Sequence, residues 1–237
     1  NGARALGLAA PDVVALQHRT EGWIAGLQLA SLSLSGRPDR AAFIATFSGS
    51  DREIAEFLVH DVLERLPAAT LDFLLRTSIL DRICAPLAER LTGRADAGRM
   101  LEEIERANLF LTPLDAGGTW FRYHHLFAEL LRSLLDRRDP NLARELHRAA
   151  ALWLSENQLT GDAVQHALRA GDQNFAASLV EACSMPLIRQ SHITRVREWL
   201  NNLPQELIDT RPRLQLAQVW ILFHVSQPLP AARILKK

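Results

Sequence analysis

The sequence predicts a mainly α protein with a single β-hairpin, and three observations carry that prediction. Apolar residues recur at every third or fourth position through most of the 237 residues. Glycine and proline cut this pattern into helix-sized pieces, notably at Pro67, Gly93, Pro140 and Gly171. Strand-type patterning is confined to residues 109–123, where two short apolar runs flank Asp115-Ala116-Gly117-Gly118.

Taken in order, Pro11 opens a short helix over residues 12–18. Thr20 is the expected N-cap of a second over 21–34, with Trp23, Leu27, Ala30 and Leu34 on one face. Gly36-Arg37-Pro38 ends it, a short helix follows over 40–47, and Ser48-Gly49-Ser50 breaks the pattern. A longer helix is expected over 51–66 with Ile54, Phe57, Leu58, Val62 and Leu66 as its buried stripe. Three helices come next: 69–80, 85–91 stopping at Gly93, and 97–107 capped by Asp96. The hairpin pairs 109–114 with 119–123, and Pro113 fits only an edge strand because it has no N–H to donate. From Leu126 the apolar positions Phe127, Leu130, Leu131, Leu134 and Leu135 return to the helical period.

Three helices followed by a two-stranded wing is the order of a winged-helix domain, whose third helix reads DNA in DNA-binding members. Here that helix carries Asp96, Glu102, Glu103 and Glu105 against only Arg99 and Arg106. Such a balance repels phosphate, so a protein-packing role is expected instead. Beyond Pro140 the expected helices over 141–157, 162–170, 174–183, 194–203 and 213–225 form an α-helical repeat array. Ala163, Ala167, Ala176 and Ala177 allow the close antiparallel packing that tetratricopeptide-type repeats use.

Composition narrows the function classes. Twenty-seven basic and twenty-seven acidic side chains leave no net field to hold nucleic acid or anionic lipid. Cys84 and Cys183 stand far apart without ligand spacing, as expected of two buried thiols in a reducing cytoplasm. No apolar run is long enough to span a membrane, and a cytoplasmic location is expected. The opening residues and the closing Lys236-Lys237 are expected to be cut ends of a longer protein.

Catalytic signatures are absent from the sequence: no phosphate-binding Gly-x-x-x-x-Gly-Lys-Ser/Thr loop, no His-Glu-x-x-His and no Gly-x-Ser-x-Gly. No catalytic residue is therefore assigned. Trp153, Trp199 and Trp220 stand on apolar helix faces as expected core residues. His124-His125 falls where a strand hands over to a helix N-terminus, a place that favours anions. Neighbouring helical residues point about 100° apart, so no metal site is expected from the pair. His124 is open to two readings, a satisfied packing residue or a ligand-facing one.

Several segments together resemble a known family. They are residues 20–34 (TEGWIAGLQLASLSL), 73–81 (FLLRTSILD), 107–114 (ANLFLTPL), 120–127 (WFRYHHLF), 146–153 (LHRAAALW) and 163–172 (AVQHALRAGD). In this order they are similar to the central region of large LuxR-type transcriptional regulators, the class of the maltotriose-responsive maltose activator. These are bacterial signal-transduction (STAND) ATPases. The resemblance implies three parts: residues 1–66 as the end of a nucleotide-binding module and its helical domain, 67–138 as a winged helix, and 139–237 as the start of a helical-repeat sensor.

It also implies a regulatory fragment rather than an enzyme. ADP or ATP with magnesium is expected for the complete protein and no cofactor for this stretch alone. The implied partners are the nucleotide-binding domain, an inducer on the repeats, and DNA only through a C-terminal domain. No membrane partner is implied, and activation would bring oligomerisation. Tyr123-His124-His125 takes the place of the Met-His-Asp motif of related switch proteins, whose histidine contacts the β-phosphate of ADP. By that resemblance His124 is the nucleotide-binding residue. Gly22-Trp23-Ile24 replaces a Gly-x-Pro element that often touches adenine, and without its proline no adenine contact is carried over. Two alternatives stand beside this reading: a repeat-type protein-interaction adaptor without nucleotide function, and a stand-alone winged-helix DNA-binding protein.

Overall fold

Helices built on the expected apolar periods make up most of the computed structural model, which describes residues 10–23, 27, 30, 34, 44, 48 and 52–224. The chain divides into two compact units, Asn1–Pro140 and Asn141–Lys237.

The first unit begins with α1 (Ala10–Thr20), longer at both ends than the apolar pattern alone marks. Thr20 closes this helix instead of capping the next one. It is fully buried, and its hydroxyl donates back to the Leu16 carbonyl at 3.0 Å. Burial among apolar neighbours leaves that hydroxyl only a local acceptor, so it turns onto its own helix. Glu21 and Gly22 then turn the chain with φ of 48° and 78°. Of the helix expected over 21–34, Leu27, Ala30 and Leu34 are described and helical, the last two fully buried. Ile44, from the helix expected over 40–47, is helical and buried. Trp23, expected on the face of the helix over 21–34, lies in the turn before it, while residues 24–26, 28–29 and 31–33, the remainder of 40–47 apart from Ile44, Gly36-Arg37-Pro38, Gly49-Ser50 and Lys236-Lys237 lie outside the described residues.

The single helix expected over 51–66 is broken into three. α2 (Arg52–Phe57) passes into a π-turn, Leu58–Val62, and a 3-10 turn, Leu63–Arg65. The extra residue per turn shifts the buried face, so Leu58 and Leu63 are buried while Val62 and Leu66 are only partly so.

The winged helix follows as α3 (Ala68–Thr77), α4 (Ala85–Thr92) and α5 (Ala97–Arg106). Gly93 ends α4 at φ 70°, a left-handed stop that donates to the Glu89 carbonyl. Asp96 precedes α5 as expected but does not cap it with its side chain. Its carboxylate is held at 2.9 Å by both Arg94 Nε and Arg94 Nη2, and Arg94 chiefly keeps it below the usual carboxylate range. A guanidinium fork outcompetes a single backbone amide for the carboxylate.

β1 (Leu111–Pro113) pairs antiparallel with β2 (Phe121–Tyr123) in the register Leu111 to Tyr123. Ile83 bridges to Phe121 through two 2.8 Å backbone bonds. β2 is therefore the middle element, and Pro113 lies on the edge strand, as its missing donor requires. The loop is held by Asp115, which accepts from Thr119 N at 3.0 Å and Trp120 N at 2.8 Å. α6 (His125–Arg138) covers the sheet with Leu126, Phe127, Leu130, Leu131 and Leu135 buried.

The second unit comprises α7 (Pro140–Glu156), α8 (Thr160–Arg169), α9 (Gln173–Arg189), α10 (Ile193–Asn201), α11 (Gln205–Asp209) and α12 (Pro212–His224). Its core joins Val164, Ala167, Ala176, Ala177 and Val180 to Trp199, Leu200 and Leu214. α9 runs past the expected end at 183 and carries Pro186 inside it. Trp199 is buried, but Trp220 is 46% exposed and so is not the core residue its helical spacing suggested. Leu216 and Phe223 share its exposure, since the core uses Leu214, Ala217 and Ile221 on the other side of α12. Among the described residues no helix is long and apolar enough to cross a membrane.

Candidate functional site

The site forms where the turn after α1 meets the strand-to-helix junction after β2, within the first unit. His124 is the residue before α6, with φ −54° and ψ 131°. Its backbone N–H donates to the Phe110 carbonyl at 2.7 Å, and Phe110 itself holds φ 57°. A bulky residue in the left-handed region is strained, and the strain is fixed here by the hairpin closing on His124.

The His124 ring is largely covered, its side chain 13% exposed. Trp23 meets it edge-on at 5.9 Å and Phe110 at 6.4 Å. Nε2 lies 2.9 Å from the Thr20 carbonyl oxygen. A carbonyl only accepts, so Nε2 carries the proton and donates. Nδ1 is buried without a partner. Burial is the main cause that pushes the His124 pKa below its ordinary value, against the Thr20 carbonyl and Glu21, which raise it.

The two histidine rings do not diverge as adjacent helical residues would. They stack at 4.9 Å with 19° between their planes. The reason is that His124 lies outside the helix in an extended conformation, so the helical angle does not apply to the pair. Both rings face Glu21, which lies 101 residues from Arg122 in sequence.

The Glu21 carboxylate is the centre of this cluster. Arg122 Nη1 approaches Oε1 at 3.2 Å and Nη2 donates to Oε2 at 3.2 Å, a two-pronged contact. His125 Nδ1 donates to Oε1 at 3.1 Å, and His124 Nε2 stands 4.0 Å from Oε2. Glu21, His124 and His125 thus bring three metal-type donor atoms within 4.8 Å of one another. The guanidinium already neutralises the carboxylate, so the charge pattern is that of an occupied anion site rather than a cation cage.

Sequence reasoning singled out His124 but missed Glu21, Arg122 and the convergence of His125. Arg122 alternates with the buried Phe121 and Tyr123 along β2, which marks it as outward-facing. Nothing local points it at Glu21. Of Gly22-Trp23-Ile24, Gly22 turns the chain and Trp23 packs on Phe57, Phe110 and His124, while Ile24 lies outside the described residues.

Beneath the site, the Tyr123 hydroxyl and Thr77 Oγ1 make a buried 2.8 Å bond that ties β2 to α3. Burial drives the tyrosine pKa far up.

Residues 59–143 match the family model described as MalT winged helix domain. Over 237 residues the chain is 39% identical to a serine/threonine-protein kinase, PknK, of Mycobacterium tuberculosis, covering 100% of this chain and 21% of the relative. Over 218 residues it is 34% identical to the HTH-type transcriptional regulator MalT of Klebsiella pneumoniae subsp. pneumoniae, covering 91% of this chain and 24% of that protein. The chain therefore spans about a fifth to a quarter of the length of the curated relatives it matches.

Proposed function

From the premise that residues 59–143 are a MalT-type winged-helix domain in a MalT-related chain, we propose that this region is the regulatory centre of a nucleotide-switched protein. It couples sensing on its helical repeats to the closed and open states of a neighbouring nucleotide-binding domain. The observation that carries this reading is that the same region is shared with a relative named a kinase and with another named a transcriptional regulator. Proteins with different named outputs share what controls the output, not the output itself. Protein kinases hold ATP phosphates with a strand lysine. The Val-Ala-Ile-Lys signature that carries this lysine does not occur in these 237 residues.

On this reading residues 1–66 are the end of the nucleotide-binding module and its helical domain, 67–138 are the winged-helix clamp, and 139–237 begin the sensor. His124 donates from Nε2 to the β-phosphate of ADP and exchanges the Thr20 carbonyl for it. The closed state is then held by the nucleotide, and inducer with ATP releases it by binding the open state more tightly. The acidic surface of α5, where Glu102 pairs with Arg106 and Glu103 with Arg99, favours this packing role over DNA reading.

The test is His124→Ala in the complete parent protein. Inducer-independent output rises if the histidine holds the closed state. Unchanged basal output at normal protein level refutes the role. Calorimetry with ADP, using this chain mixed with the nucleotide-binding domain, separates the switch from an adaptor without nucleotide function.

A further inference from the structure

We infer that Glu21 is a built-in competitor for the phosphate site: its carboxylate fills an anion pocket formed by Arg122, His125 and His124, and a diphosphate must displace it to bind. This rests on the reading of His124 as a phosphate contact and adds the rest of the pocket and its regulation.

Three features support it. First, the donors surround one small anion as they would a phosphate. Arg122 offers its planar fork at 3.2 Å to each carboxylate oxygen, and His125 Nδ1 adds a third donor at 3.1 Å. That fork fits carboxylate and phosphate oxygens equally well.

Second, a carboxylate leaves the set incomplete. Its two oxygens are engaged by Arg122 and His125, and His124 Nε2 remains 4.0 Å away, beyond hydrogen-bond reach, donating to the Thr20 carbonyl instead. A tetrahedral phosphate has further oxygens, one of which His124 can take.

Third, Glu21 can leave. Its side chain is 32% exposed, and it lies at a turn outside both flanking helices. Rotating it into solvent opens the pocket without moving β2 or α6. The glutamate sits at φ 48°, a strained conformation for a non-glycine residue, which holds the carboxylate toward the junction.

The consequence is a two-position device. With Glu21 in, the turn after α1 is clipped to the wing in the absence of nucleotide. With a diphosphate in, the same three donors hold the ligand and Glu21 is expelled.

The experiment is calorimetric titration of this chain with inorganic pyrophosphate in low-salt, magnesium-free buffer, comparing wild type with Glu21→Gln. The glutamine keeps the size and removes the charge. Circular dichroism melts of each variant check folding, and all these side chains are at least partly exposed. Glu21→Gln is expected to bind pyrophosphate at least about tenfold more tightly than wild type. The gain should vanish in Glu21→Gln with Arg122→Ala. Equal or weaker binding by Glu21→Gln overturns the proposal, as does a gain that survives loss of Arg122. Adding His124→Ala separates the two readings. Loss of the gain supports both, whereas a gain that needs Arg122 but not His124 supports Glu21 as competitor and overturns His124 as the phosphate contact. If Glu21→Gln gains nothing while His124→Ala still raises basal output in the parent, the switch stands and this inference falls.

Discussion

The bond between Thr77 and Tyr123 ties the strand that carries Arg122 to the first helix of the winged domain, and its removal has an asymmetric cost. Both side chains are buried, at 0% and 2% exposure. Thr77 Oγ1 donates to the Phe73 carbonyl at 2.7 Å, so across the 2.8 Å contact the tyrosine hydroxyl is the donor. Tyr123→Phe removes that donor and leaves Thr77 its bond to Phe73, at a cost of about 1 kcal/mol, the net value of one hydrogen bond. Thr77→Val leaves a phenolic hydroxyl buried with no acceptor and should cost about 2 kcal/mol. In the double variant no orphaned hydroxyl remains, so its cost should fall back to about 1 kcal/mol instead of the ~3 kcal/mol of simple addition. Hydrogen exchange of the α3 and β2 amides reads this unit alone, and the three variants with wild type close a cycle. Costs that add to within about 0.5 kcal/mol would refute the coupling.

Further predictions follow from the same residues. Tyr123 is the chain's single tyrosine, and its raised pKa means that the folded state binds the phenolic proton more tightly than the unfolded state. Its contribution to stability is present below the ordinary tyrosine value and lost as pH rises through it; phenolate absorbance should appear only together with loss of helical circular dichroism, and phenolate in an intact fold would contradict the burial. His124 has the opposite sign: its pKa, lowered mainly by burial, makes the unfolded state bind more protons as pH falls below the ordinary histidine value. Exchange-derived stability of the first unit should fall in that window, and His124→Gln should flatten the fall; an unchanged slope counts against the buried neutral ring.

The outcome for the site follows how far each contact reaches along the chain. The place of His124 was legible because it depends on local signals: apolar alternation up to Tyr123, helical period from Leu126, and a loop with two glycines before them. What it touches was not legible, because Thr20 and Glu21 lie 104 residues away from His124 and His125. Such pairs are decided by how α1 turns at Glu21 and Gly22, where a buried hydroxyl chose its own helix over the following one.

By itself the sequence determined the class, the three helices of the winged domain in their order, the hairpin with Pro113 on its edge, and the run of helices after Pro140 apart from the short α11. Each of these follows from side-chain period and turn chemistry over a few neighbouring residues. Only the tertiary structure decided the π-turn that breaks the helix after Phe57, the exposure of Trp220, the pairing of Asp96 with Arg94, and the gathering of Arg122, His124 and His125 around Glu21. These depend on competition among donors, acceptors and apolar faces that meet only when the chain has packed, and period alone ranks none of them.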